Sequence, residues 1–357
     1  MCAVAGLILS LAGSTQAHDA KTDTKPGQKV ERSLVVDAQA TVTLCVASGT
    51  LQVRGWDKSE IRVRSLDATQ IDFRRIDKVK DASRPPARID VMVLNKGTGA
   101  NPKFDCQAIA DVEMEVPAGS TVQVQTRDGD IVIAGVAGAY AGSQNGDIAI
   151  ERATKLVEAG SVGGSIVLKD STGRINLSSA GGGVEAINIR AASDDDTFDV
   201  GTVSGDIQLD RVSNPKVTAK TVNGTVTMSG PLAKAGSYGF TNMTGNIVLA
   251  MPHDASFQLN AKVSDKHHIV SDFNLKYLSD ATPPPPPVVI KPKTPEAKGK
   301  TPTPTPMPKT GPVIAPIVVE KPMPAPYVLR RVTAICGSGD ASISVASFGG
   351  TVRLKKI

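Results

Sequence analysis

The segment GDIVIAGVAGAYAGSQNGDIAIERATKLVEAGSVGGSIVL, residues 129–168, states one short phrase three times. Gly129-Asp130-Ile131, Gly146-Asp147-Ile148 and Gly164-Ser165-Ile166 each set a glycine, a short polar residue and an isoleucine in the same order. Each continues as apolar, any residue, apolar: Ile131 and Ile133, Ile148 and Ile150, Ile166 and Leu168. Period two places such a pair on one face of a strand. A strand this short cannot bury its own apolar face, whereas stacked copies align the pairs into one aliphatic core.

The phrase recurs at Gly173-Arg174-Ile175, Gly205-Asp206-Ile207, Gly224-Thr225-Val226, Gly245-Asn246-Ile247 and Gly350-Thr351-Val352, most spacings falling near 17 to 22 residues. The step from Gly164 to Gly173 is nine residues, about half of that, which predicts two such corners per turn of a coil. The glycines are expected to supply the positive φ of a sharp corner, and polar residues are expected to point outward. The fold class that follows is all-β: a single-domain, parallel β-helix-like β-solenoid with an N-terminal β segment and a Pro-rich disordered insertion.

Composition agrees. Aromatic residues are 3% of the chain and glycines number 33, with Val, Ile and Thr in short runs, which favours short strands and tight turns. Beyond the extreme N-terminus no stretch repeats apolar residues at helical spacing for three turns. The net charge of +5 is concentrated between Ala281 and Pro326, where six Lys face two Glu. The rest is nearly neutral and lacks both the basic footprint and the aromatic residues of a nucleic-acid binder.

Ala3 to Ala12 form an apolar run too short to span a bilayer, followed by Gly13, Ser14, Thr15, Gln16 and Ala17. This pattern predicts a signal peptide, residues 1–17, cleaved after Ala17. No Lys or Arg precedes the run, which leaves the translation start open; the competing reading is a buried N-terminal strand or helix. Cys2 has no lipobox before it. The mature chain keeps Cys45, Cys106 and Cys336, an odd number. Export would permit a Cys45–Cys106 disulfide, and the alternative is that all three are small buried side chains in strands such as Val42 to Val46.

Ser48-Gly49-Thr50-Leu51-Gln52-Val53-Arg54-Gly55-Trp56-Asp57, followed by Glu60-Ile61-Arg62-Val63, resembles the opening strand, turn and second strand of the bacterial putative-adhesin domain family, a domain of unknown function with Gly-Asp-Ile rungs. Val116-Pro117-Ala118-Gly119 resembles that family's turn into the rungs, while Pro252 to Phe273 and Ser347 to Leu354 resemble its last rungs. The likeness covers about residues 30–280 and 327–357 and implies export and an envelope setting, with no catalytic residues to transfer. The chain departs from the family between Ala281 and Pro326, which holds 16 of the 24 prolines. Such a segment favours polyproline II and cannot supply sheet hydrogen bonds, so it is expected to leave and re-enter one domain. The expected organisation is signal peptide 1–17, flexible N-terminus 18–30, adhesin-like solenoid 31–280, disordered insertion 281–326 and final solenoid strands 327–357.

Candidate chemistry is sparse. Asp130, Asp147 and Asp206 after the corner glycines lack the spacing of calcium-binding nonapeptide repeats, and a turn role accepting backbone hydrogen bonds also accounts for Ser165, Thr225 and Asn246. Asp194, Asp195, Asp196 and Asp199 form the densest acidic cluster, read as a solvated loop ahead of a cation or glycan site. His18, His253, His267 and His268 show no zinc spacing, and Trp56 is expected to pack against the first strands. No catalytic, cofactor-binding or metal residue is assigned. The expected function is an exported, non-enzymatic structural or adhesin-like binding surface of the bacterial envelope: periplasmic, cell-surface or secreted. Its partner is an unknown envelope protein or surface polymer, with no nucleic acid and no integral membrane span after signal removal. The alternative is a polysaccharide-active β-helix enzyme.

Overall fold

The computed structural model describes residues 29–77, 83–95, 106–264, 269–280 and 330–357. The expected signal peptide and the Pro-rich insertion therefore lie outside the described residues. Among those described, strands form two sheets of 13 and 14 members. Each turn of the coil gives one strand to each sheet. Thr121–Asp128 of the larger sheet leads through Gly129 into Ile131–Ala134 of the smaller, Gly138–Ser143 leads into Ile148–Glu151, and Leu156–Ser161 into Ile166–Lys169.

Successive turns pair parallel and in register, Ile131 with Ile148 with Ile166 and Ile133 with Ile150 with Leu168. These six side chains are fully buried, as are Val122, Val124, Val157 and Ile175 from the facing sheet. The protein is a β-solenoid. Gly164 and Gly173 do mark two corners of one turn, since Ile166 and Ile175 stand on opposite sheets. The corner that follows Gly164 on the same edge is Gly182, hidden in the sequence by its neighbours Gly181 and Gly183.

Chain order and spatial order part at both ends. The rung Thr41–Ser48 with Leu51–Trp56 sits between Thr121–Asp128 with Ile131–Ala134 on one side and Arg88–Leu94 with Val112–Pro117 on the other. At the far end Ala341–Ser347 with Val352–Lys356, last in the sequence, slots between Ser237–Thr244 with Ile247–Met251 and Phe257–Val263 with Ile269–Ser271. Antiparallel strands then cap the open ladders, Val30–Val35 and Glu60–Ser65 at one end and Arg330–Cys336 with Lys276–Asp280 at the other. Val30 opens the first of these strands, one residue inside the segment expected to be flexible. Lys276–Asp280 and Arg330–Cys336 pair with each other, so the chain on both sides of residues 281–329 belongs to one sheet.

The corner glycines work differently from expectation. Gly129, Gly146, Gly164, Gly205, Gly224 and Gly350 are not among the positive-φ residues; of the predicted set only Gly173 and Gly245 are. They are glycines because the corners stack in van der Waals contact. A Cβ on Gly129 would lie 2.0 Å from the Gly49 carbonyl oxygen, and one on Gly164 would lie 2.0 Å from that of Gly146. Left-handed backbone falls instead at the opposite corner: Gly135, Arg152, Asp170 and Gly230 just after their strands, and Asn188 and Arg211 one residue before the ends of theirs, Val184–Ile189 and Ile207–Val212. Most of these carry side chains, because that corner leaves room for a Cβ.

Nor do all polar residues point outward. Ser143, Ser161, Ser179, Thr202 and Thr221 occupy one inward register position on successive rungs and are buried. Their hydroxyls donate to the carbonyl oxygens of Gly129, Gly146, Gly164, Gly182 and Gly205, each one rung back, at 2.9–3.1 Å. The corner carbonyls turn inward where water cannot reach, and this internal row satisfies them.

Candidate functional site

The corner aspartates are structural. Asp130 accepts the backbone N–H of Asp147 at 2.9 Å, Asp147 that of Ser165 at 2.7 Å, and Asp206 that of Thr225 at 2.7 Å. Asn246 does the same for Thr351 at 3.1 Å. The acceptor role is as expected, but the donor belongs to the next rung and not to the same turn. In the acidic cluster, Asp196 folds back on its loop, accepting the N–H groups of Ala192 and Ser193 at 2.7 and 2.9 Å, while Asp194 and Asp195 are exposed. Asp199 points to the outer face of its strand. Among the described residues no three of His, Cys, Asp and Glu converge as a metal site.

Cys45 and Cys106 form a disulfide with Cα atoms 4.8 Å apart, and Cys336 is a half-buried free thiol whose pKa burial raises. The disulfide ties the chain before Val112–Pro117 onto the rung Thr41–Ser48. Trp56 donates its indole N–H to the Glu60 carbonyl at 2.8 Å, with Lys58 and Arg62 against the ring, as a packing role requires. His253 is exposed; His18, His267 and His268 lie outside the described residues.

Two grooves remain. The first runs across the outer face of the larger sheet, about 440 Å³, lined by Gln123, Gln125, Tyr140, Glu158, Asn176 and Ser178 over a floor that includes Gly142 and Gly160. Tyr140 is half-buried there. The second lies at the N-terminal end of the smaller sheet, about 350 Å³, and gathers Lys29, Arg64, Asp67, Asp111 and Glu113. Ion pairs in and beside it join the edge strands: Lys29 pairs with Glu113 at 3.4 Å, Arg64 with Glu31 at 3.0 Å and, next to the groove, Arg62 with Glu115 at 3.3 Å. Asp111 accepts the Thr50 N–H at 2.6 Å. A ridge of exposed apolar side chains, Val162, Val203, Val222 and Met243, follows one corner.

Sequence reasoning missed the first groove. Gly138-Ala139-Tyr140-Ala141-Gly142 carries no large apolar pair, so it gives almost no strand signal, yet the register of its neighbours makes it one.

The features define an all-β solenoid protein that presents long, open outer faces. The chain belongs to the Toastrack DUF4097 family, which it matches over residues 88–276, just over half its length. This is the expected putative-adhesin domain family of unknown function. A comparison with curated proteins finds no match. Among solved structures, a putative adhesin from Parabacteroides merdae aligns over 63% of this chain and 90% of its own at 9% identity and a TM-score of 0.37. One from Bacteroides fragilis aligns over 92% and 97% at 13% identity and a TM-score of 0.35.

Proposed function

We propose that the protein is exported, loses residues 1–17, and serves in the bacterial envelope as a non-enzymatic solenoid whose outer face binds a partner or surface polymer. The observation that carries this is the groove around Tyr140, open along several rungs and free of paired acid and base groups. The Cys45–Cys106 disulfide supports an oxidising compartment.

Gly160→Arg tests the face. A Cβ there meets only the Ser178 carbonyl oxygen at 3.9 Å, so the substitution fills the groove without disturbing the core. Retention of envelope components by the mature protein should fall sharply with melting unchanged, and unaltered retention would count against the face. Mass spectrometry should find an N-terminus at His18, and an intact Met1 in the cytoplasm would remove the export claim.

The enzyme reading has one observation in its favour, a further groove adjoining the second, where Glu113 and Glu115 follow each other on one strand face beside Arg54 and Arg64. Release of reducing sugar from polysaccharides, lost in Glu115→Gln, would establish it over the binder.

A further inference from the structure

The groove over Tyr140 repeats at the rung spacing, and the repeat restricts what can lie in it. Register aligns Gln123 with Tyr140, Tyr140 with Glu158, Glu158 with Asn176 and Asn176 with Asp199. Successive rungs thus offer one hydrogen-bonding side chain each, in a single row. Neighbouring strands are about 4.8 Å apart, close to the length that one pyranose ring and its bridging oxygen occupy in an extended polysaccharide. Beside that row Gly142 and Gly160 bring the floor down to bare backbone, so a ring can approach the sheet.

The side chains suit the same ligand. Tyr140 presents a ring with an apolar face and a polar edge, the geometry that stacks on the C–H face of a sugar. Gln123, Gln125 and Asn176 both donate and accept, and Glu158 accepts from two hydroxyls. Glu158 is the one charged side chain in the lining, so a polyanion meets repulsion there and no cation.

We propose that this groove binds a linear, uncharged polysaccharide laid across the rungs along the solenoid axis, one sugar per rung, with Tyr140 stacked on a ring. The assignment rests on the reading of the outer face as a binding surface.

Calorimetric titration of the mature protein with cello-oligosaccharides and chito-oligosaccharides, from disaccharide to hexasaccharide, tests it, with oligogalacturonates as the anionic series. A neutral series should bind, affinity rising with length to about four sugars and then levelling, since the groove ends near Gln123 and Asn176. Tyr140→Ala should weaken binding by about tenfold or more and Tyr140→Phe by less than about twofold, both with unchanged melting. Equal or tighter oligogalacturonate binding would overturn the proposal, as would affinity indifferent to Tyr140→Ala. If no sugar binds while Gly160→Arg still abolishes retention of an envelope protein, the polysaccharide is ruled out and the binding face stands. If both fail, the face itself is ruled out.

Discussion

Gly146 sits so close beneath Gly129 that a Cβ on it would lie 2.0 Å from the Gly129 carbonyl oxygen and 2.5 Å from its carbon. Those are backbone atoms of a paired ladder and cannot swing aside. Gly146→Ala should therefore destabilise by at least about 3 kcal/mol in urea unfolding. Gly142→Ala, whose Cβ would meet only the Gln125 side chain at 3.8 Å, should change stability by less than about 1 kcal/mol. Equal effects at the two sites would refute close stacking as the reason for the corner glycines.

Ser161 does two tasks, donating to the Gly146 carbonyl at 3.0 Å and accepting the Gly164 N–H at 2.9 Å. Ser161→Ala strands both groups in the interior and should cost about 1–3 kcal/mol. Ser161→Thr should be nearly neutral, because Thr202 and Thr221 fill the equivalent positions of later rungs.

Ile148 is fully buried between Ile131 and Ile166. Ile148→Asp places an unpaired charge between rungs and should lower stability by more than about 4 kcal/mol. Unchanged melting of this variant would contradict the register.

Two aspartates make stability depend on pH. Asp77 is held below the ordinary carboxylate range by hydrogen bonds from the Arg75 guanidinium and the Ala87 N–H, and Asp128 by those from Asn145 and Arg127. A depressed folded pKa means that the unfolded chain binds protons first. Their contribution is therefore present above the ordinary aspartate value of about 3.9 and is lost as pH falls through the lower folded values. Thermal melts should be flat from about pH 7 to about pH 5 and decline below about pH 4. Asp77→Asn and Asp128→Asn together should flatten that decline, and an unaltered acid limb would show that other carboxylates govern it.

The repeat could be read from the sequence because its cause is local. An apolar pair at period two after a glycine forms a half-buried strand wherever it occurs, and eight copies can only stack. Spatial neighbours were not legible at the ends, because each rung offers the same aliphatic pair: Val352 packs on Ile247 as well as Ile269 does on Val352. The Ser143 to Thr221 row was hidden for a related reason. A hydroxyl at a strand end reads as turn chemistry until the inward carbonyl it satisfies is known.

By itself, then, the sequence determined that this protein is an all-β solenoid of about 17 to 22 residues per rung with an aliphatic interior. Strand periodicity and corner composition act over a few residues and need no partner in space. The tertiary structure alone decided that the rung ending in Leu354 lies inside the stack, that Cys45 meets Cys106, and that Gln123, Tyr140, Glu158 and Asn176 share one row. Those relations join residues 17 to more than 100 positions apart through parallel register and corner stacking, and distances of that kind are set by how the whole coil closes on itself.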